Sequence, residues 1–431
     1  MRITIIGLGY VGLPTAAVFV KKGYQVVGID NDKKKIELFN KGICYIREPA
    51  INSMLREGIS SGRLKATINS VEAIRKSDII VITVPTPVRE EVVDLSFLRE
   101  ALENVANNLH REQLVVIEST IPPGTTDGFA KQVLEHSGLK AEEDFYLAHV
   151  PERIAPGRAV EELLNTPRVI GGVGPRSTQK AFEFYSCINS NLYLTDATTA
   201  EFVKLIENTY RDLNIAFANL IAIIAERINV DAYEAIRLAN THPRVNVHWP
   251  GAGVGGPCLT KDPYMLASIL PDFWGIELIR LARKINDYMP RHMMKLIERA
   301  LKDDNIIVKN AKIAVLGAAY KGGIDDIRES PSKIIVEKLL ELGADVIVFD
   351  PYVSESFSAK RAESLEGSVS NADAVVIMTD HPEFKQIDWN KAAKIVRRKI
   401  IIDGRRVVDP YKAARAGFRY HGIGFGRAFK L

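Results

Sequence analysis

The stretch Gly7-Leu8-Gly9-Tyr10-Val11-Gly12 most constrains the fold. It follows an apolar run, Arg2 to Ile6, and opens a helical pattern that extends to Lys22. In a G-x-G-x-x-G turn between strand and helix, each glycine has a mechanical reason. The first permits the tight turn, the second lets a pyrophosphate approach the backbone, and the third lets helix and strand pack closely. The pyrophosphate then meets unpaired N–H groups at the helix start. Tyr10 and Val11 lie inside that turn. The next apolar run, Gln25 to Ile29, ends at Asp30. A carboxylate there accepts from both ribose hydroxyls and repels a 2′-phosphate, which favours NAD over NADP. Lys35 either lines the adenosine side or is a solvated helix lysine.

Strand-length apolar runs recur at Asp78–Val84, Leu114–Glu118 and Tyr146–His149, separated by helical stretches such as Ser96–Leu109. Alternation of this kind predicts a parallel sheet with helices on both faces. From Ala197 to about Leu301 the texture turns helical, and Thr198–Arg227 carries Phe202, Leu205, Ile206, Leu213, Phe217 and Leu220 at helical spacing. From Ala311 the alternation returns, with strands at Lys312–Leu316, Asp345–Phe349, Ala374–Met378 and Lys399–Ile402 and a helix at Pro331–Glu341. The predicted architecture is α/β. Two Rossmann-like doubly wound parallel-sheet domains, 1–195 and 309–431, are joined by a central helical domain, 196–308. A chain of 431 residues has room for about three domains of roughly 150 residues.

Lys plus Arg exceed Asp plus Glu by only 57 to 53, which argues against nucleic acid or a membrane surface as partner. No apolar run reaches membrane-span length, and the first residues lack a signal-peptide pattern. Three cysteines, an odd and sparse count, argue against a disulfide framework and for a reducing, cytoplasmic compartment.

Of the three, Cys44 and Cys187 read as packing residues. Cys258 lies in Pro250-Gly-Ala-Gly-Val-Gly-Gly-Pro-Cys-Leu-Thr-Lys261-Asp262-Pro, and Thr260 reads as the N-cap of a following helix. A helix start and the neighbouring Lys261 favour the thiolate, and the glycines let a substrate or a backbone approach closely. A thiolate paired with a nicotinamide site suggests aldehyde chemistry: a thiohemiacetal loses hydride, and water releases the acid from the thioester. Lys204 and Asn208, four apart, share one helix face and either stabilise an oxyanion or form a solvated face. Glu152 begins the loop after a strand, where open α/β sheets put their ligands, and can serve as a general base for water. Ser119 and Thr120 end another strand and either meet the nicotinamide or cap a turn. Asp262 is close enough in sequence to Cys258 to share its site. In the last part, Leu316-Gly317-Ala-Ala-Tyr-Lys321 is a degraded dinucleotide turn. Asp325-Asp-Ile-Arg328-Glu-Ser330-Pro331 leads into a helix with Ser330 as N-cap, and Arg405 follows a strand. Cations there suit a diphosphate or form surface ion pairs.

Taken in order, these segments resemble the UDP-glucose/GDP-mannose dehydrogenase family across essentially the whole chain. The resemblance rests on Gly7–Gly12 with Asp30, Val84-Pro-Thr86-Pro87, Glu118-Ser119-Thr120 and Pro151-Glu152. It continues through Ala200-Glu-Phe-Val-Lys204-Leu-Ile-Glu-Asn208, Gly255-Gly-Pro-Cys258-Leu-Thr-Lys261-Asp262, Lys321, Asp325–Pro331 and Asp403-Gly-Arg405. It implies a four-electron oxidation of a nucleotide sugar at C6, with two NAD per turnover and Cys258 as nucleophile. Lys204, Asn208 and Asp262 would handle the oxyanion and water, and Glu152 would assist thioester hydrolysis. Thr86, Ser119, Thr120 and Lys261 would lie at the cofactor. Arg153, His242, Arg244, Gly255, Lys321, Arg328 and Arg405 would join Glu152, Lys204 and Asn208 at the UDP-sugar. The central helices would form a dimer core. His149-Val-Pro-Glu-Arg153-Ile-Ala-Pro-Gly157 and Arg237–Asn246 resemble the branch acting on UDP-N-acetyl-mannosamine; UDP-glucose and UDP-N-acetylglucosamine are the alternatives. A two-electron hydroxyacid dehydrogenase would need neither Cys258 nor the third part, and a non-catalytic nucleotide-sugar binder would not need Cys258, Lys204 and Glu152. Asn219-Leu220 departs from the Asn-Glu common among relatives.

Overall fold

A computed structural model describes residues 1–48 and 50–426. The last five residues of the predicted third part therefore lie outside the described residues. The chain forms two compact units, 1–207 with 264–271, and 208–263 with 272–431. The boundary falls inside the helix Ala197–Arg227, not in a linker.

In the first unit, eight strands form one sheet. From one edge the order is Leu192–Asp196, Arg168–Gly172, Tyr146–His149, Leu114–Ile117, Ile79–Ile82, Arg2–Ile6, Gln25–Ile29 and Leu64–Thr67. Pairing is parallel except between Tyr146–His149 and Arg168–Gly172, which run antiparallel. This antiparallel step, and the strands at Leu64, Arg168 and Leu192, lie outside the sequence expectation. The strands alternate sides: Ile3, Ile5, Val81 and Val116 face one core, and Ile6, Ile80, Ile82 and Val115 face the other. Burial on both faces explains why these strands read as continuous apolar runs. Cys44 and Cys187 pack at the edge of the first of these cores.

In the second unit, six parallel strands run in the order Lys360–Arg361, Asp345–Phe349, Lys312–Leu316, Ala374–Ile377, Ile400–Asp403 and Arg419–Gly422. This is the 3-2-1-4-5-6 order of a doubly wound dinucleotide fold. Ser330 caps Pro331–Glu341 by accepting from the Ser332 N–H, as its sequence predicts. Among the described residues, no helix is long and apolar enough to cross a membrane.

Apolar residues on Ala197–Arg227 take two faces. Leu205 is fully buried, but Phe202, Ile206, Tyr210, Phe217, Leu220 and Ile224 are 41–51% exposed. They recur at intervals of three, four or seven residues, so they form one solvent-facing apolar stripe.

Candidate active site

The glycine turn sits where the sheet order reverses, between the strands Gln25–Ile29 and Ile79–Ile82 that flank Arg2–Ile6. Gly7 has φ +97°, and a Cβ there would lie 2.8 Å from the Thr83 carbonyl oxygen. A Cβ on Gly12 would lie 1.9 Å from the Gly7 carbonyl oxygen, so the third glycine is demanded by packing. A Cβ on Gly9 would meet nothing within 4 Å. The open side of the second glycine is the cradle a pyrophosphate needs. The helix Gly12–Lys21 has no side-chain cap at its start. Asp30 accepts from the Leu8 N–H at 2.9 Å and the Asp32 N–H at 3.0 Å, with Lys35 Nζ 3.6 Å away. These residues fit NAD: Asp30 would meet the ribose, and Lys35 stands beside Asp30.

Two expected cofactor contacts are engaged in the wall of the site. Thr86 Oγ1 donates to the Thr120 carbonyl at 2.7 Å, and Ser119 Oγ donates to the Val84 carbonyl at 2.7 Å. Thr120 itself is half-buried. The loop beyond it is held by Glu201, a residue that sequence reasoning passed over. Its buried carboxylate accepts from Gly124 N–H at 2.5 Å, Thr126 N–H at 2.7 Å and Thr126 Oγ1 at 2.5 Å. Burial pushes this carboxyl up to about 7, against the pull of those donors. Glu118, also fully buried, ion-pairs with Arg168 at 3.2 Å and accepts from the Tyr185 hydroxyl at 2.7 Å.

Lys204 is buried, which excludes the solvated-face reading. Its ammonium donates to the Glu152 carbonyl at 2.6 Å and lies 3.2 Å from Glu152 Oε1. Glu152 Oε2 accepts from the Ile154 N–H at 2.9 Å. The base expected for water and the cation expected for an oxyanion are thus one buried ion pair. His149 is fully buried, and burial, with a smaller contribution from Lys204, pushes it down to about 3, a neutral imidazole. Arg153 donates to the Pro167 carbonyl at 2.8 Å and pairs with Glu207, so its guanidinium is already engaged.

In the second unit, Asn208, one helical turn beyond Lys204, donates from Nδ2 to Asp262 Oδ2 at 2.6 Å. Lys261 Nζ lies 3.0 Å from Asp262 Oδ1. The cap expectation is corrected: Thr260 Oγ1 donates to the Gly256 carbonyl at 2.7 Å, and the helix begins only at Asp262. The reason is a turn in which the Lys261 and Asp262 N–H groups both bond to the Cys258 carbonyl, at 3.1 and 2.9 Å. Cys258 is half-buried at the start of that turn.

The glycines around Cys258 admit the protein's own neighbours. A Cβ on Gly255 would lie 2.6 Å from the Glu329 carbonyl oxygen, and one on Gly256, at φ +86°, 2.7 Å from the Tyr320 ring. The loop is laced to the second sheet by Gly256 N–H to the Arg328 carbonyl at 2.9 Å and Arg405 Nη2 to the Gly253 carbonyl at 3.0 Å. The Arg328 guanidinium is bidentate on Asp326. Lys321, His242 and Arg244 are exposed.

In the degraded turn at Gly317, a Cβ on the glycine would lie 2.3 Å from the Thr379 side chain. Asp350, the counterpart of Asp30, accepts from Ala318 N–H at 2.7 Å, Ala319 N–H at 3.0 Å and His381 Nε2 at 2.9 Å. Burial opposes its ionisation, but these donors hold the carboxyl below its usual range.

Residues 1–189 match the NAD binding domain of the UDP-glucose/GDP-mannose dehydrogenase family, residues 198–288 its central domain and residues 314–410 its UDP binding domain. The chain belongs to the UDP-glucose/GDP-mannose dehydrogenase family. It is an NAD-dependent nucleotide-sugar oxidoreductase. A UDP-N-acetyl-D-mannosamine dehydrogenase of Pyrococcus horikoshii is 48% identical over 427 residues, covering 99% of this chain and 100% of the relative. A solved UDP-D-ManNAc dehydrogenase from Pyrococcus horikoshii superposes with a TM-score of 0.92 at 47% identity, over 99% of this chain and 100% of that one. A UDP-glucose dehydrogenase from Pyrobaculum islandicum superposes with a TM-score of 0.88 at 29% identity, over 98% of each chain.

In this dehydrogenase, sequence reasoning missed buried polar groups within each unit: Glu201, Arg168 and Tyr185 in the first, and Asp212 and Arg283 in the second. The one signal for Glu201 is its register. It lies three residues before Lys204, on the same helix face. Asp212 and Arg283 are far apart in sequence and carry no such pattern.

Proposed function

We propose that this chain oxidises the C6 alcohol of UDP-N-acetyl-D-mannosamine to the uronic acid through a thiohemiacetal and a thioester on Cys258. The observation that carries the substrate is the 48% identity, over the whole length, to a relative of that name. NAD, when bound, supplies the hydride acceptor for each of two oxidations. The balance is one alcohol, one water and two NAD⁺ to one carboxylate, two NADH and three protons.

The Gly9 cradle and Asp30 hold the cofactor. Lys204 and Asn208 stabilise oxygen-centred negative charge at C6, and a buried ammonium does so more strongly than an exposed one. Cys258 adds to the aldehyde. Glu152 takes the proton of the attacking water, and its carboxylate is held ready by Lys204 and the Ile154 N–H. Asp262 orients Asn208. Lys321, Arg328 and Arg405 serve the diphosphate, Arg328 and Arg405 after exchanging their present partners. His242, Arg244, Arg153 and Gly255 serve the sugar.

Parallel assays with UDP-N-acetylmannosamine, UDP-glucose and UDP-N-acetylglucosamine test the reading. The first is expected to give the highest kcat/KM, with two NADH per acid formed. Preference for UDP-glucose overturns the sugar, and one NADH per product overturns the four-electron course.

The apolar stripe from Phe202 to Ile224 supports a homodimer built on the central helix, because a contiguous apolar patch of this kind is seldom left to water. Phe217→Glu is expected to halve the mass measured by light scattering at micromolar concentration. A wild-type chain that runs as a monomer would contradict the dimer.

A further inference from the structure

Arg283, on the helix Glu277–Lys302, is 1% exposed and heads the fully buried side chains by volume. A buried guanidinium costs more than an apolar side chain of equal size, so its presence between packed helices calls for a reason beyond packing. Its contacts supply one. Nη1 donates to Asp212 Oδ1 at 2.5 Å and to the Leu259 carbonyl at 3.2 Å, and Nη2 pairs with Asp287. Leu259 directly follows Cys258. From Asp212 the network continues: Asn286 Nδ2 donates to Asp212 Oδ1 at 2.8 Å, and Asn219 Nδ2 donates to Asn286 Oδ1 at 2.9 Å. Asn219 Oδ1 in turn accepts from the Gly251 N–H at 2.9 Å.

The hydrogen bonds therefore run unbroken from Gly251, at the start of the cysteine loop, to Leu259, just past the thiol. Asn208, Asp212 and Asn219 recur at intervals of four and seven on one helix, so they share a face. That face holds the loop at Asp262 through Asn208, at Leu259 through Arg283 and at Gly251 through Asn219. The departure at Asn219-Leu220 is consistent with this: Asn219 is the member that is buried and bonded, and Leu220 is exposed.

We propose that Arg283 is a positioning residue for the reacting thiol, fixing the peptide after Cys258 while Asn286 and Asn219 fix the far end of the same loop. This rests on Cys258 being the nucleophile. The two carboxylates at Arg283 offset its charge, so its part is geometric and not electrostatic. Covalent attack needs the sulfur within near-attack distance of C6, and a displacement of about 1 Å costs roughly 10²-fold in rate. Such a loss falls on kcat, because substrate affinity is carried by other groups.

The test uses the full-length enzyme with Arg283→Lys, which keeps the charge and loses the fork, and Asn219→Ala at the opposite end of the network. For Arg283→Lys, kcat is expected to fall roughly 10- to 10²-fold with the sugar KM within about twofold. The rate and pH midpoint of iodoacetamide alkylation at Cys258, followed by peptide mass, are expected to stay within about twofold and about half a pH unit, since the thiol is intact but misaimed. Asn219→Ala is expected to lower kcat in the same sense. A folded Arg283→Lys enzyme with wild-type kcat overturns the proposal, as does an alkylation midpoint moved by a full unit, which would make the role electrostatic. If Arg283→Lys does not fold, wild-type kcat in Asn219→Ala overturns it. Cys258→Ser run alongside separates the two ideas, because acid formation surviving in that variant removes the nucleophile itself, whatever Arg283 does.

Discussion

Cys258→Ser is expected to lose at least about 10³-fold in acid formation while the fold and NAD binding persist. A serine hydroxyl is a far weaker nucleophile at neutral pH than a thiol that is partly thiolate. Cys258 sits in a turn closed by two N–H groups on its own carbonyl, and serine is nearly isosteric, so the backbone there has no reason to move. The first oxidation, alcohol to aldehyde, needs no sulfur. The variant should therefore pass one hydride in a single turnover and stall. Quench-flow counting of NADH, with mass spectrometry of the sugar product, reads both steps. Two NADH per sugar at near-wild-type rate in the variant would remove Cys258 from the mechanism.

Glu152→Gln should produce a different arrest. Without the base, hydrolysis of the thioester is expected to slow by about 10²- to 10⁴-fold. Both hydrides are passed beforehand, so a burst of two NADH per site should precede a slow steady state. The Cys258 peptide should then carry the acyl group in intact-mass spectra. The substitution also takes the carboxylate from 3.2 Å beside the Lys204 ammonium. A modest loss of thermal stability should accompany the kinetic effect, since Lys204 is buried. Full turnover with no acyl-enzyme would give the hydrolytic role to another residue.

Much of the fold was legible because its signals are local. The strand Arg2–Ile6, the turn at Gly7 and the acid Asp30 lie within one short segment, and strands buried on both faces must be apolar throughout. Arg168–Gly172 and Leu192–Asp196 were not legible for the same reason reversed. Arg168 opens its strand with a charge, and that charge makes sense only once Glu118 and Tyr185 are brought against it. The cap at Thr260 was misread because the turn at Cys258 satisfies the backbone before any helix begins.

By itself, the sequence determined the class of the protein: which segments turn, which carry the cofactor, and which cysteine is set apart by its glycines. These are properties of neighbouring residues and of short-range backbone sterics. Only the tertiary structure decided what the polar groups are doing. It made Lys204 and Glu152 a buried pair and put Lys261 on Asp262. It gave the cysteine-loop glycines to Tyr320 and Glu329, and joined Arg283 to the peptide beside the thiol. A buried charge takes its meaning from the partner that neutralises it, and apart from neighbours such as Lys261 and Asp262, those partners stand tens of residues away in the chain.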